Sequence, residues 1–273
     1  MELGGSDAFI VLEDADLEKT LTWAVWAKMN NMGQCCIAAK RFIIVEALAD
    51  RFLAQFKAAM EALKPGDPMD KTTTLGPLST EAALVQLVKQ VDEAIAHGAT
   101  LVIGGKRMDR AGAFMQPTIL TDIQPDNPAY REEFFGPVAL FFRVKDEEAA
   151  IALANDSDYG LGGSVFTRDI ERGKRVASRI ETGMVFVNHP TWTAADLPFG
   201  GMAACGRLRR GCGSGGVRGG GESARAGRRR RPPRAARGRT ARPRPRLAGV
   251  AALDLLDALR RRLGDATVAD QAH

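Results

Sequence analysis

Two adjacent thiols stand in the run Gly33-Gln34-Cys35-Cys36, and a carboxylate, Glu2, heads the run Glu2-Leu3-Gly4-Gly5 about thirty residues earlier. A thiolate adds to a carbonyl carbon far better than an alcohol does, and it later leaves as the sulfur of a thioester. A carboxylate held near apolar groups gains proton affinity and suits the work of a general base. On residue type alone either thiol qualifies, and an arbitrary Cys-Cys pair more often packs as two small buried groups beside a strand. Glu2, preceded only by Met1, reads equally well as a solvated glutamate on a frayed end. Further on, Glu133-Phe134-Phe135-Gly136-Pro137-Val138 joins a carboxylate and two rings to a rigid Gly-Pro turn, where the backbone can pass close to another group. Leu197-Pro198-Phe199-Gly200-Gly201 is similar, and Asn188-His189-Pro190-Thr191-Trp192 before it reads as a loop in which His189 has no assigned role.

These groups need elements to hold them. Ala8–Leu12 is a short apolar run, and Asp14-Ala15-Asp16 offers N-cap oxygens to a helix over Leu17–Met29. Asn30-Asn31-Met32-Gly33 breaks that helix just before the thiols. Arg41–Val45 predicts a strand, Ala47 to Leu63 an amphipathic helix, and Pro65-Gly66-Asp67-Pro68 a loop. A helix from Glu81 is expected to end near His97-Gly98, with glycine in the left-handed cap. Strands follow at Leu101–Gly104, Phe114–Leu120, Val138–Val144, Ser164–Phe166 and Met184–Asn188, and helices at Glu147–Ala154 and Ile170–Glu181 separate the last three. Strands alternating with helices predict an α/β architecture with a largely parallel sheet.

The chain is 273 residues long with a net charge of +5, but it is two texts. Residues 1–201 carry 20 basic and 28 acidic side chains, a net charge of −8, whereas residues 202–273 carry 18 arginines against 5 acidic groups, a net charge of +13. A basic pI usually raises the prospect of a nucleic-acid partner; for the acidic body that inference fails. The tail has no Phe, Tyr, Trp, Ile, Asn or Lys. It is expected to be a disordered Arg/Gly/Ala/Pro-rich segment, with one leucine-spaced helix over 247–263. An arginine-glycine arm gripping phosphates is one reading of it. The other is an out-of-frame translation of G/C-rich DNA, since the missing residue types use A/T-rich codons, and the lack of interleaved aromatics favours this second reading. Four cysteines, two adjacent and two (Cys205, Cys212) in the tail, form neither a disulfide framework nor a metal-ligand set, so no metal is expected and a reduced cytoplasmic setting is. No run approaches eighteen apolar residues, so no membrane partner is expected.

The three blocks in this order resemble the aldehyde dehydrogenase superfamily, most closely its bacterial succinate-semialdehyde dehydrogenase branch. Gly66-Asp67-Pro68, Leu75-Gly76-Pro77-Leu78, Pro117-Thr118-Ile119-Leu120 and Asn155-Asp156-Ser157-Asp158-Tyr159-Gly160-Leu161 extend the likeness over residues 1–201. The resemblance implies a three-layer catalytic domain over 1–201 followed by the basic tail. It makes Cys36, not Cys35, the nucleophile and Glu2 the base that activates water. It places Leu3, Gly4, Glu133 and Phe135 at the nicotinamide and its ribose, and Phe199 in the substrate funnel. The implied reaction is NAD- or NADP-dependent oxidation of succinic semialdehyde or a similar small aldehyde to its acid, in a homo-oligomer. The family's cofactor-binding domain is expected upstream of Met1, and its Ser-Gly-x-Gly-Arg-Glu block is replaced after Gly201 by Met202-Ala203-Ala204-Cys205-Gly206. The rival expectation is a catalytically inactive fragment or subunit-interaction module.

Overall fold

The computed structural model describes residues 4–195 and 197–201. Glu2, Leu3, the basic tail and the helix expected over 247–263 lie outside the described residues. Among the described residues the strands β1 (Asp7–Val11), β2 (Ala39–Val45), β3 (Thr100–Ile103), β4 (Thr118–Thr121), β5 (Val138–Val144), β6 (Gly162–Phe166) and β7 (Met184–Val187) make one sheet. Their order is β3-β4-β5-β2-β1-β6-β7. Every neighbouring pair is parallel except β3 with β4.

Successive strand residues face opposite sides, and here both sides are covered. Phe9 and Val11 of β1 join Phe42 and Ile44 of β2 beneath α1 (Leu17–Met29) and α2 (Glu46–Glu61), whose Phe52 and Phe56 are fully buried. Ala8, Ile10, Ile43 and Val45 face the other way, onto α3 (Glu81–Ala96), α4 (Glu147–Asn155) and α5 (Ile170–Ala177). Three layers result, as a parallel sheet requires.

The helix starts follow capping chemistry. Asp16 accepts from the Lys19 N–H, Thr80 from Ala83, Asp146 from Ala149 and Asp169 from Arg172. Gly98, at φ +95°, follows α3 in the left-handed region, as anticipated. Two elements fall well short of expectation. The run Phe114–Leu120 yields a strand only from Thr118, because Pro117 has no N–H to give the ladder and Met115 makes just a lone bridge to Arg107. The last helix stops at Ala177, not Glu181, with Arg179 and Glu181 bonded through the Asn155 side chain.

Because β1, β2 and β5 are parallel neighbours, their amino ends share one edge of the sheet. Gly4-Gly5 precede β1, Cys35-Cys36 precede β2, and Glu133–Pro137 precede β5. Connections separated by a hundred residues are thereby brought to one place. No helix among the described residues is long and apolar enough to cross a membrane.

Candidate active site

The thiol segment begins where α1 ends. Asn31 and Met32 adopt left-handed backbone angles (φ 50° and 58°), and Asn31 and Gln34 exchange side-chain-to-carbonyl hydrogen bonds of 3.0 and 3.3 Å. Gly33, at φ +72°, presses on the Gly136 carbonyl so closely that a Cβ there would lie 2.2 Å from its oxygen. Glycine is therefore required where the thiol segment meets the Glu133–Pro137 turn. Cys35 and Cys36 are both half-buried.

Lys40, at the head of β2, is fully buried and gathers the site. Its Nζ donates to the carbonyl oxygens of Cys35 at 2.7 Å and Cys36 at 2.8 Å, and it lies 3.1 Å from Glu133 Oε1. An ammonium has three donors, and all three are used. The same Oε1 accepts the Gly5 N–H at 3.2 Å. Gly5 in turn abuts the thiol backbone, since a Cβ on it would sit 2.4 Å from the Cys36 carbonyl oxygen. Gly4 (φ +107°) lies against the other carboxylate oxygen, with its Cβ position 2.2 Å from Oε2. So Lys40 and Glu133 bond Cys36 and Gly5 into one cluster, with Gly4 packed against it. Phe135 is attached to its rim, 47 % exposed, with Lys40 Nζ 6.0 Å from its ring centre.

Phe199 stands apart from this cluster. Gly200 lies against Gly183, just ahead of β7, which puts Phe199 near the same sheet edge but two strands from β1. Phe199 is 43 % exposed. The loop before it packs on α1: His189 lies 4.6 Å from the Trp23 ring, and Trp192 lies 5.2 Å from Trp26. Burial lowers the His189 pKa, and its Nδ1 lies 2.7 Å from the Pro190 carbonyl oxygen.

Besides Lys40, two buried groups near the site were not singled out from the sequence. Lys28, in the last turn of α1, is fully buried, and its Nζ has no hydrogen-bond partner among the described residues. Desolvation, reinforced by the charge on Lys40, drives its pKa well below 10.5. Asp7 accepts the Gly162 N–H at 3.0 Å, and burial raises its pKa to about 6 against the pull of Lys40. The readable signal for Lys40 was a Lys-Arg pair at the head of a strand buried on both faces, where a cation must find partners.

The aldehyde dehydrogenase family model matches residues 1–217. The chain belongs to that family. It is 55 % identical over 206 residues to the NADP(+) succinate-semialdehyde dehydrogenase of Deinococcus radiodurans, covering 76 % of this chain and 43 % of that relative. A probable NADP(+) succinate-semialdehyde dehydrogenase from Synechocystis is 50 % identical over 206 residues, with 76 % and 45 % covered. Succinic semialdehyde dehydrogenase from Streptococcus pyogenes, solved in complex with NADP+, superposes with a TM-score of 0.73 at 45 % identity, over 75 % of this chain and 45 % of that one. Betaine aldehyde dehydrogenase from Staphylococcus aureus, solved with NAD+, is 35 % identical with a TM-score of 0.73, over 75 % and 41 %. The chain thus spans less than half the length of these relatives. Among the described residues of this family member, no three acidic, His or Cys side chains are grouped to hold a metal ion.

Proposed function

We propose that residues 1–201 form the catalytic domain of an aldehyde dehydrogenase that oxidises succinic semialdehyde or a similar small aldehyde to its carboxylic acid, using NAD or NADP, with residues 202–273 as a separate tail. Cys36 is the nucleophile that carries the acyl group as a thioester, and Glu2 takes the proton of the water that releases the acid. Nicotinamide, when bound, supplies the acceptor for hydride. The residues present fit it: with no side chain at Gly4, the backbone packs directly against Glu133 Oε2, while Oε1 is held by Gly5 and Lys40. That leaves Oε2 to accept from ribose hydroxyls, with Leu3 and the exposed ring of Phe135 as apolar packing for the nicotinamide. Phe199 lines the approach of the aldehyde.

The observation that carries this reading is the bonded cluster of Cys36, Gly5, Lys40 and Glu133, which ties a thiol segment to a carboxylate at one sheet edge. The test is acyl transfer, which needs no cofactor. The chain should hydrolyse p-nitrophenyl acetate, and Cys36→Ala should lower the rate by roughly a hundredfold or more, with Cys35→Ala close to wild type. Loss of turnover in Cys35→Ala with Cys36→Ala unaffected would sink the assignment.

A further inference from the structure

We propose that Lys40 is a positioning residue for the nucleophile, holding the Cys36 backbone and the Glu133 carboxylate in fixed relation and setting the reactivity of the Cys36 thiol. The inference rests on the reading of Cys36 as nucleophile and adds a residue to it. The ammonium is fully buried, and its bonds run to the two cysteine carbonyls, at 2.7 and 2.8 Å, and to Glu133 Oε1, at 3.1 Å. A buried cation is retained only where its bonds offset its desolvation. Here every donor is spent on the two segments that the chemistry must keep in register.

The geometry has two consequences. First, the Cys35 and Cys36 peptides are turned so that both carbonyls converge on one nitrogen, which fixes the backbone from which the Cys36 side chain projects. Second, the Lys40 ammonium, paired with Glu133, lies against the Cys36 peptide, and a neighbouring cation favours thiolate over thiol. Lys28 is the contrast. It is equally buried and senses the same carboxylate, yet it bonds to nothing among the described residues and gives up its charge readily. One carboxylate serves two lysines, and the bonded one is Lys40.

The test is timed iodoacetamide labelling of the full chain between pH 6 and 10, with the modified cysteines mapped by mass spectrometry. Wild type should label Cys36 ahead of Cys35. Lys40→Met, which keeps the stem and removes the charge, should raise the midpoint of the Cys36 pH profile by about one pH unit and cut its rate at neutral pH about tenfold. A purely structural lysine would change access at every pH and leave the midpoint in place. An unmoved midpoint in Lys40→Met, with wild type still selective for Cys36, therefore overturns the proposal alone. No preference for Cys36 in wild type overturns the nucleophile assignment, and the role of Lys40 with it. Should Lys40→Met fail to melt cooperatively, Lys40→Gln, which keeps two donors without the charge, is read for the same shift. Collapse of both variants overturns the proposal in favour of a structural role.

Discussion

Lys28 and Lys40 lie in the field of one carboxylate, Glu133, and their different partners give them different fates. Lys40 is bonded three ways, while Lys28 is held among packed groups where the charged form is costly. Because the folded chain holds the Lys28 pKa well below 10.5, it binds fewer protons at this site than the unfolded chain does between that lowered value and 10.5. Stability contributed by this group therefore rises with pH through that window, and the residue is a net cost near neutrality. Lys28→Met should stabilise the chain at pH 7 by about 1–3 kcal/mol, the cost of an unsatisfied buried donor, and by less at pH 10. Urea unfolding at both pH values reads this directly. A gain independent of pH would show that folding does not shift its titration, and a loss at pH 7 would show that Lys28 has a partner in solution.

At the level of the elements, the site exists because β1, β2 and β5 are parallel neighbours. Asp7 opens β1 and holds the next strand along, its Oδ1 accepting from Gly162 at the start of β6 at 3.0 Å. Burial raises its pKa from 3.8 to about 6, so the folded chain binds more protons here than the unfolded chain between those values, and stability falls as pH rises through that window. Asp7→Asn keeps an acceptor for Gly162 and removes the titration. Relative to wild type, the variant should gain about 2–3 kcal/mol between pH 4 and pH 7, because each pH unit across that window is worth about 1.4 kcal/mol; parallel stability curves would refute this. The strands and helices themselves were legible locally, since a nearly continuous apolar run marks Val138–Val144 and Asp16 marks the start of α1. The bonds that join them were not. Lys40 to Glu133 and Asp7 to Gly162 link residues far apart in the chain, and Asp14, expected only as a cap candidate, instead accepts from the Thr167 hydroxyl at 2.8 Å. Local propensity contains no contribution from such contacts. Family likeness assigned Gly4 and Glu133 to one nicotinamide site, whereas Lys40 fell one residue outside the expected strand and its bonds became visible only with the fold.

At the scale of the whole molecule, the described body presents a thiol and a carboxylate in register but matches only 43–45 % of the length of its succinate-semialdehyde dehydrogenase relatives. On the reading proposed above, acyl transfer to Cys36 needs no nicotinamide. Hydride transfer depends on how a nicotinamide is held, and family resemblance places the domain that holds its pyrophosphate and adenosine outside the matched region. A misplacement of about 1 Å can cost on the order of a hundredfold in rate. The two chemistries should therefore separate. A polypeptide of these 273 residues should turn over p-nitrophenyl acetate through Cys36 while oxidising succinic semialdehyde with NADP at least roughly a hundredfold more slowly than a chimera in which the preceding segment of the Deinococcus relative is joined to residues 1–201. In the chimera, Cys36→Ala should abolish both activities. Comparable NADPH production by the 273-residue chain alone, lost in Cys36→Ala, would show that its own residues suffice to hold the cofactor. If instead the chimera folds and hydrolyses the ester but produces no NADPH, the thiol chemistry stands and the proposed dehydrogenase assignment of this catalytic domain fails.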